Sequence, residues 1–341
     1  GAQMRQIVIT KHGGPGVLRI QERADIKPAK GEVSIRVQAC GVNFADILAR
    51  QGLYPDAPKV PCVVGYEVAG TVEAVGENVD DTLLGRSVLA MTRFQGYSDL
   101  VCVRSSQVFE KPSELTFEQA AAVPVNYLTA YQLLVVMGSL QPGESVLIHN
   151  AGGGVGLAAL DIAKHKGAIT YGTASPTKHE FLKKRGLDHP IDYRTHDWLP
   201  LLQDATDGRG VELIIDPLGG AHWKKSYKAL RATGRLGMFG ISTATESGLG
   251  GKLRLLKVGL QMPWFNPIML MNSNKSVFGV NLGHLWREGE KVSSWMTAIS
   301  DGVKKGWVRP HVDKTFSFEE AGEAHAYIEA RRNIGKVVLL P

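Results

Sequence analysis

The sequence predicts an α/β protein in which a β-rich opening stretch gives way to a doubly wound parallel sheet. Three observations carry this. Short β-branched runs broken by Gly and Pro fill roughly the first 120 residues. After Pro124 strands and helices alternate with tight turns between them. One of those strands runs through a glycine-rich turn straight into an apolar helix.

The opening strands are read at 7–9, 17–21 and 33–37, separated by Gly-Gly-Pro-Gly at 13–16 and Pro-Ala-Lys-Gly at 28–31. Further strands follow at 63–75, 88–91 and 97–103. A short helix at 44–50 carries Phe44, Ile47 and Leu48 on one face. This half reads as a small barrel. Gly1, Ala2 and Gln3 ahead of Met4 are read as a remnant of expression and left out of the fold.

The alternating part begins with helical character at 126–137. Strand 145–149, helix 155–165, strand 170–173, helix 177–185, a short strand near Pro190 and Ile191, strand 211–216, helix 223–230 and strand 235–239 follow. Such alternation indicates a parallel sheet covered on both faces. Beyond Gly283 the pattern predicts helices at 292–304 and 318–330 and a last strand at 336–340.

Composition bounds the function. A chain of 341 residues allows about two domains. The net charge of +6 is spread without a block of five like charges, where a nucleic-acid binder would concentrate it on one stripe. Cys40, Cys62 and Cys102 form neither CxxC nor finger spacing, which favours a reducing compartment, the cytoplasm. The uncharged stretch 119–143 is interrupted by Pro124, Asn126, Thr129, Gln132 and Pro142, so it reads as a buried helix rather than a membrane span, and a soluble protein is expected. The apolar segment 242–274, with Lys252, Arg254 and Lys257 near its start, is read as core or subunit interface, then as a lid, then as a surface for peripheral membrane contact.

The glycine-rich turn is the most informative motif. Ala151, Gly153 and Gly156 stand at the three small-residue positions of a G-x-G-x-x-G turn, with Gly152, Gly154 and Val155 between them. Small residues let backbone approach a pyrophosphate, and the helix N-terminus supplies free N–H groups and partial positive charge. The next strand ends in Gly172, Thr173, Ala174, Ser175, Pro176, Thr177 and Lys178. No carboxylate is there to hold a ribose 2′-OH, whereas Ser175 and Lys178 suit a 2′-phosphate. The reading is NADPH rather than NADH; the alternative for Lys178 is a solvated first-turn lysine.

With these elements in place, the chain resembles the medium-chain dehydrogenase/reductase superfamily, and within it the zinc-free quinone oxidoreductases of the zeta-crystallin type. The resemblance rests on Cys40-Gly-Val-Asn-Phe-Ala-Asp46, Gln51-Gly-Leu-Tyr-Pro55, Gly65-Tyr-Glu-Val-Ala-Gly70, Asn126-Tyr-Leu-Thr-Ala-Tyr131, the glycine-rich turn and Gly335-Lys-Val-Val-Leu339. The stretch 126–131, His189-Pro-Ile-Asp-Tyr193 and Asp216-Pro-Leu-Gly-Gly220 look most like the branch of the synaptic vesicle amine-transport protein homologues. The resemblance implies a Rossmann-type sheet (124–283) inserted into a GroES-like catalytic domain (1–123 and 284–341), with the active site in the cleft between them and a homodimeric assembly.

It also implies the site. Zinc-dependent relatives carry Cys and His where this chain has Asn43 and Tyr66, and it lacks a four-Cys lobe, so no metal is expected. Without a Lewis acid the favoured reaction is reduction of an electron-poor hydrophobic acceptor: a quinone, or an alkene conjugated to a carbonyl. The rivals are an enoyl-thioester or 2-alkenal reductase, and a non-catalytic NADPH-binding interaction protein. Asn43, Tyr54 and Asp46 are the candidate catalytic residues. Asn43 hydrogen-bonds a substrate oxygen or a water. Tyr54 is a donor or aromatic wall, or else a loop aromatic beside Pro55. Asp46 is weighed as a helix-orienting or interdomain contact ahead of a general acid. Glu67 lies beneath the site as a structural group. Thr129 and the run Phe239, Gly240 and Ile241 face the nicotinamide, Tyr193 lies near the adenosine 2′-phosphate, and Asn333 closes over the cofactor.

Overall fold

The computed structural model describes residues 2–242 and 250–341. In chain order the elements are β1 (Gln3–Ile9), β2 (Leu18–Ala24), β3 (Glu32–Gly41), α1 (Phe44–Gln51), β4 (Glu67–Val75), β5 (Ser87–Met91), β6 (Leu100–Arg104), β7 (Val108–Glu110), α2 (Phe117–Ala121) and α3 (Pro124–Tyr131). Then come β8 (Ser145–Ile148), α4 (Gly154–His165), β9 (Ile169–Ala174), α5 (His179–Lys184), β10 (His189–Asp192), α6 (Trp198–Ala205), β11 (Val211–Asp216), α7 (Ala221–Lys228) and β12 (Leu230–Met238). The chain continues with α8 (Gly251–Leu260), α9 (Pro267–Ser273), β13 (Ser276–Gly279), α10 (Gly289–Lys305), β14 (Val312–Ser317), α11 (Ala321–Glu329) and β15 (Lys336–Leu340).

These elements form two compact units. The first comprises Gly1–Leu128, Gly283–Gly306 and Pro310–Pro341; the second comprises Thr129–Leu282 and Trp307–Arg309. In the first, β14-β15-β3-β4-β5-β7 form one sheet, β6 adds to β3, and β1 and β2 make a separate antiparallel pair. The β-branched faces of these strands (Val33, Ile35, Val68, Val72, Val88 and Val101 among them) meet Ile47 of α1 and Phe318 in one core. The sheet is completed from far along the chain: Val338 and Leu339 of β15 register with Gly41 and Cys40 of β3.

The second unit holds a six-stranded sheet in the order β10-β9-β8-β11-β12-β13. Every pair in it is parallel. The chain winds outward from β8 through β9 to β10, and from β11 through β12 to β13, so the direction of winding reverses between β8 and β11. Crevices at such reversals, outside the carboxyl ends of the strands, are where open α/β sheets bind ligands. Leu147, Ile214, Leu236 and Leu202 are fully buried at its core.

Several boundaries differ from the sequence reading. Gln3, left out of the fold by the sequence reading, belongs to β1, paired with Ala24. β4 starts at Glu67 because Gly65 takes φ +111° just before it. The helix read at 126–137 begins at Pro124, and its last turn, Gln132–Val136, is a π-helix. β12 begins at Leu230, which the sequence reading assigned to the preceding helix. α6 went unread because Pro200 interrupts its pattern, yet Pro200 falls in the first turn, where no intrahelical N–H is needed, and Asp197 caps it. The segment 242–274 is divided: Phe265, Met269 and Leu270 pack on the core, while Leu253, Leu256, Leu260, Trp264, Ile268 and Met271 are exposed. Its residues 243–249 lie outside the described residues.

Candidate functional site

In the second unit, β8 delivers the chain into Asn150, Ala151, Gly152 and Gly153 before α4 begins at Gly154. Asn150 adopts φ +53°, the left-handed region that Asn tolerates, and this turns the chain across the end of the sheet. Gly156 packs against that turn: a Cβ there would lie 2.3 Å from the Asn150 carbonyl oxygen and 2.7 Å from that of Ala151. A larger residue must push the turn away. The N-cap is Gly153, and no side chain caps α4. Its first N–H groups therefore have no side-chain acceptor, the condition for receiving an anion.

The neighbouring strand ends bring the other candidates to the same edge. Ser175, buried, follows β9, and its hydroxyl lies 3.4 Å from that of Thr177. Lys178 runs its aliphatic stem across the turn; its Cδ would be 2.9 Å from a Cβ on Gly152. Tyr193 follows β10 and is exposed. Phe239, Gly240 and Ile241 follow β12 and fold back on the loop after β11: the Phe239 N–H donates to the Asp216 carbonyl at 3.2 Å, and the Ser242 N–H to the Pro217 carbonyl at 2.8 Å. Thr129 is buried on α3. The residue types and the open helix N-terminus fit a dinucleotide.

The first unit holds the other set. Asp46 accepts the Asn43 backbone N–H at 2.9 Å and so caps α1. The Asn43 side-chain amide is directed elsewhere, and its Nδ2 donates to Glu67 Oε2 at 2.7 Å. Lys336, from β15, donates to Asn43 Oδ1 at 2.8 Å and to Glu67 Oε2 at 2.6 Å. The remaining Glu67 oxygen accepts the Val125 N–H at 3.0 Å. Gly41 makes room for this group, since a Cβ there would sit 2.6 Å from Glu67 Oε2 and 2.7 Å from Lys336 Cε. Glu67 and Lys336 are buried, and Asn43 is partly exposed. Beyond these bonds Asn43 keeps a second amide hydrogen and Lys336 a third ammonium hydrogen.

Asp46 is wholly buried, and burial pushes its carboxyl up to about 7 against the hydrogen bonds it accepts from Asn43 and from the Tyr97 hydroxyl at 3.0 Å. The Tyr97 hydroxyl also meets His325 Nε2 at 3.0 Å. Tyr54 packs edge-on to Tyr66, their ring centres 6.5 Å apart, and Tyr66 lies 5.3 Å from Phe94. Together they make an aromatic row. Asn333 turns its amide onto the Gly335 carbonyl at 2.9 Å. Sequence reasoning did not single out Lys336 or Tyr97. Lys336 was visible only as part of the closing strand motif, and the pairing of β15 with β3 that brings it to Asn43 has no local signal.

A GroES-like β-unit and a doubly wound sheet with a glycine turn at its reversal point define a class of two-part oxidoreductases. Residues 29–130 match the alcohol dehydrogenase GroES-like domain, and 185–339 the zinc-binding dehydrogenase family. The synaptic vesicle membrane protein VAT-1 homolog of Danio rerio is 40% identical over 98% of this chain and 69% of its own. The Escherichia coli quinone oxidoreductase complexed with NADPH superposes with TM-score 0.87 at 30% identity, covering 99% of this chain and 100% of that one. The CurK enoyl reductase superposes with TM-score 0.87 at 28% identity, covering 99% of each. The chain belongs to the medium-chain dehydrogenase/reductase superfamily, in the branch of the VAT-1 homologues.

Proposed function

We propose that the chain is an NADPH-dependent reductase that acts, without zinc, on quinones or carbonyl-conjugated alkenes. The observation that carries this is the uncapped α4 N-terminus at the sheet's reversal point with the Lys178 stem laid across Gly152. Gly152, Gly153, Gly154, Val155 and Gly156 would hold the diphosphate, and Ser175 and Lys178 the 2′-phosphate. Bound there, NADPH supplies a hydride equivalent.

The chain's own contribution lies around Asn43. Its carbonyl oxygen is engaged by the Lys336 ammonium, which polarises the amide and strengthens its uncommitted N–H as a donor to an oxygen gaining negative charge. Tyr54 and Tyr66, set edge-on to each other, offer an aromatic corner to a planar acceptor. Zinc independence is supported by the same ammonium: it donates to both Asn43 Oδ1 and Glu67 Oε2, so a positive charge already occupies these oxygens. A homodimer is supported by β13, which leaves one edge of the sheet unpaired among the described residues, and by the exposed apolar side chains of α8 and α9. Among the described residues no helix is long and apolar enough to cross a membrane.

The test is a panel of quinones, enones, 2-alkenals and enoyl thioesters followed by loss of NADPH absorbance, with zinc measured in the same preparation. Turnover of quinones or enones is expected, with less than one zinc per several chains. Lys178→Ala should narrow the preference for NADPH over NADH by about tenfold, the worth of a charge-assisted hydrogen bond. Asn43→Ala should lower kcat by roughly a hundredfold. Faster reduction of thioesters or alkenals selects the enoyl-reductase reading. Tight NADPH binding with no turnover across the panel selects the interaction protein.

A further inference from the structure

Directly beneath the glycine turn lies a buried polar chain that the proposed site does not use. His149, the residue between β8 and the turn, points Nδ1 at the Thr173 hydroxyl (3.1 Å) and Nε2 at the Ser226 hydroxyl (3.1 Å). Ser226, on α7, lies 2.6 Å from Asp216 Oδ2, and the same oxygen meets His222 Nδ1 at 2.7 Å. Trp198 Nε1 donates to His222 Nε2 at 3.0 Å, and the Leu218 N–H donates to Asp216 Oδ1 at 2.8 Å. His149, Thr173, Asp216 and Ser226 are all at least nine-tenths buried.

The proton positions in this chain follow one from another. The indole N–H of Trp198 can only donate, so His222 Nε2 is bare and its proton sits on Nδ1, directed at Asp216. Asp216 accepts throughout, so the single Ser226 hydroxyl proton also points at it. Ser226 Oγ must then accept from His149 Nε2–H, which leaves His149 Nδ1 bare to accept the Thr173 hydroxyl proton. Thr173 Oγ1 is thereby free to accept the Asn150 N–H at 3.2 Å, and the Thr173 carbonyl takes the Ala151 N–H at 3.0 Å. Burial pushes the His149 imidazole down to about 3, so it stays neutral, as this pattern needs. The same assignment argues against a metal ion, although His149, Asp216 and His222 bring ligand atoms within 4.8 Å of one another. The His222 nitrogen that faces Asp216 carries a proton, and the opposite one is covered by Trp198.

We infer that Thr173, His149 and Ser226 are positioning residues of the phosphate-binding turn, a one-way hydrogen-bond chain from the Asp216 carboxylate to the Asn150 amide that holds the left-handed bend at Asn150. This rests on the NADPH reading of the turn for its functional consequence but not for its structural one. The bend at Asn150 is uncommon for a residue with a side chain and persists where surroundings fix it. Thr173 bonds both residues that enter the turn, and Ser226 acts on them only through the ring of His149.

The test uses the full chain and the variants Thr173→Val, Thr173→Ser, Ser226→Ala and Thr173→Val/Ser226→Ala. Two readouts are taken: NADPH dissociation constants with steady-state kinetics, and amide hydrogen exchange across 150–153 in the protein without cofactor. Thr173→Val should weaken NADPH binding by roughly tenfold and speed exchange at 150–153, with kcat at saturating NADPH held and Thr173→Ser restoring both. Ser226→Ala should shift both in the same direction by less, and add little once Thr173→Val is present. Unchanged exchange in Thr173→Val, or additive effects of the two substitutions, overturns the inference. If the parent chain binds no NADPH, the cofactor reading fails on that measurement alone, while the exchange data still decide whether the chain holds the turn.

Discussion

At the scale of single residues the sharpest constraint is Gly156, because what opposes a side chain there is backbone oxygen rather than a movable group. Gly156→Val should abolish measurable NADPH binding while far-ultraviolet circular dichroism stays near that of the parent; retained affinity would remove the turn from the cofactor site. This residue was legible in the sequence because its partners, Asn150 and Ala151, are six and five positions away. Lys336 was not. Its partner Asn43 lies 293 residues off in the chain, and only the pairing of β15 with β3 brings them within 2.8 Å. Periodicity and turn chemistry speak for neighbours along the chain, so the glycine turn could be read from sequence and the Asn43–Glu67–Lys336 cluster only in part.

Among the elements, α1 shows how one helix start serves two purposes. Asn43 stands at the N-cap; Asp46, at N3, accepts its backbone N–H, while the Asn43 side-chain amide is engaged by Glu67 and Lys336. The cost falls on Asp46, a buried carboxyl with one oxygen unpartnered. Between its ordinary value of 3.8 and about 7 the folded chain keeps a proton there that the unfolded chain has lost. The stabilisation from this group is thus complete at low pH and disappears as pH rises to about 7. Asp46→Asn should not show that decline. Denaturant midpoints at pH 4.5 and pH 7.5 should show the variant gaining on the parent with rising pH by on the order of 3 kcal/mol; parallel behaviour of the two chains would contradict it. Elements whose own patterns are regular, such as β11 and β15, were found from sequence at their true limits, whereas α6 was hidden by a proline that its first turn accommodates.

For the molecule as a whole, buried imidazoles give each unit a sensitivity to acid. His325 in the first unit and His149 in the second are both driven down to about 3 by burial, against 6.5 when exposed. As pH falls below 6.5 the unfolded chain takes up these two protons and the folded chain does not, so stability is full above 6.5 and is lost progressively toward pH 3. Denaturant midpoints between pH 7 and pH 4 should therefore fall, and His325→Gln should flatten the profile relative to the parent; an unaltered slope would place His325 outside the account. The two-unit plan itself could be anticipated from the change of rhythm after Pro124 and the late return to a strand. β13 and β14 could not, because their short runs carry few β-branched residues and no clear alternation.

The late arrival of β15 bears on how the polypeptide is made. The elements from β8 to β13 emerge from the ribosome as one uninterrupted run, able to condense while translation continues. β3, by contrast, must wait until residues 336–340 have been made, after the whole β8–β13 run, before its last neighbour appears. Nascent chains that stop between β13 and β15 should consequently carry a protease-resistant second unit and a still-cleavable first one, since the ammonium that completes the Asn43 cluster follows the whole of that run.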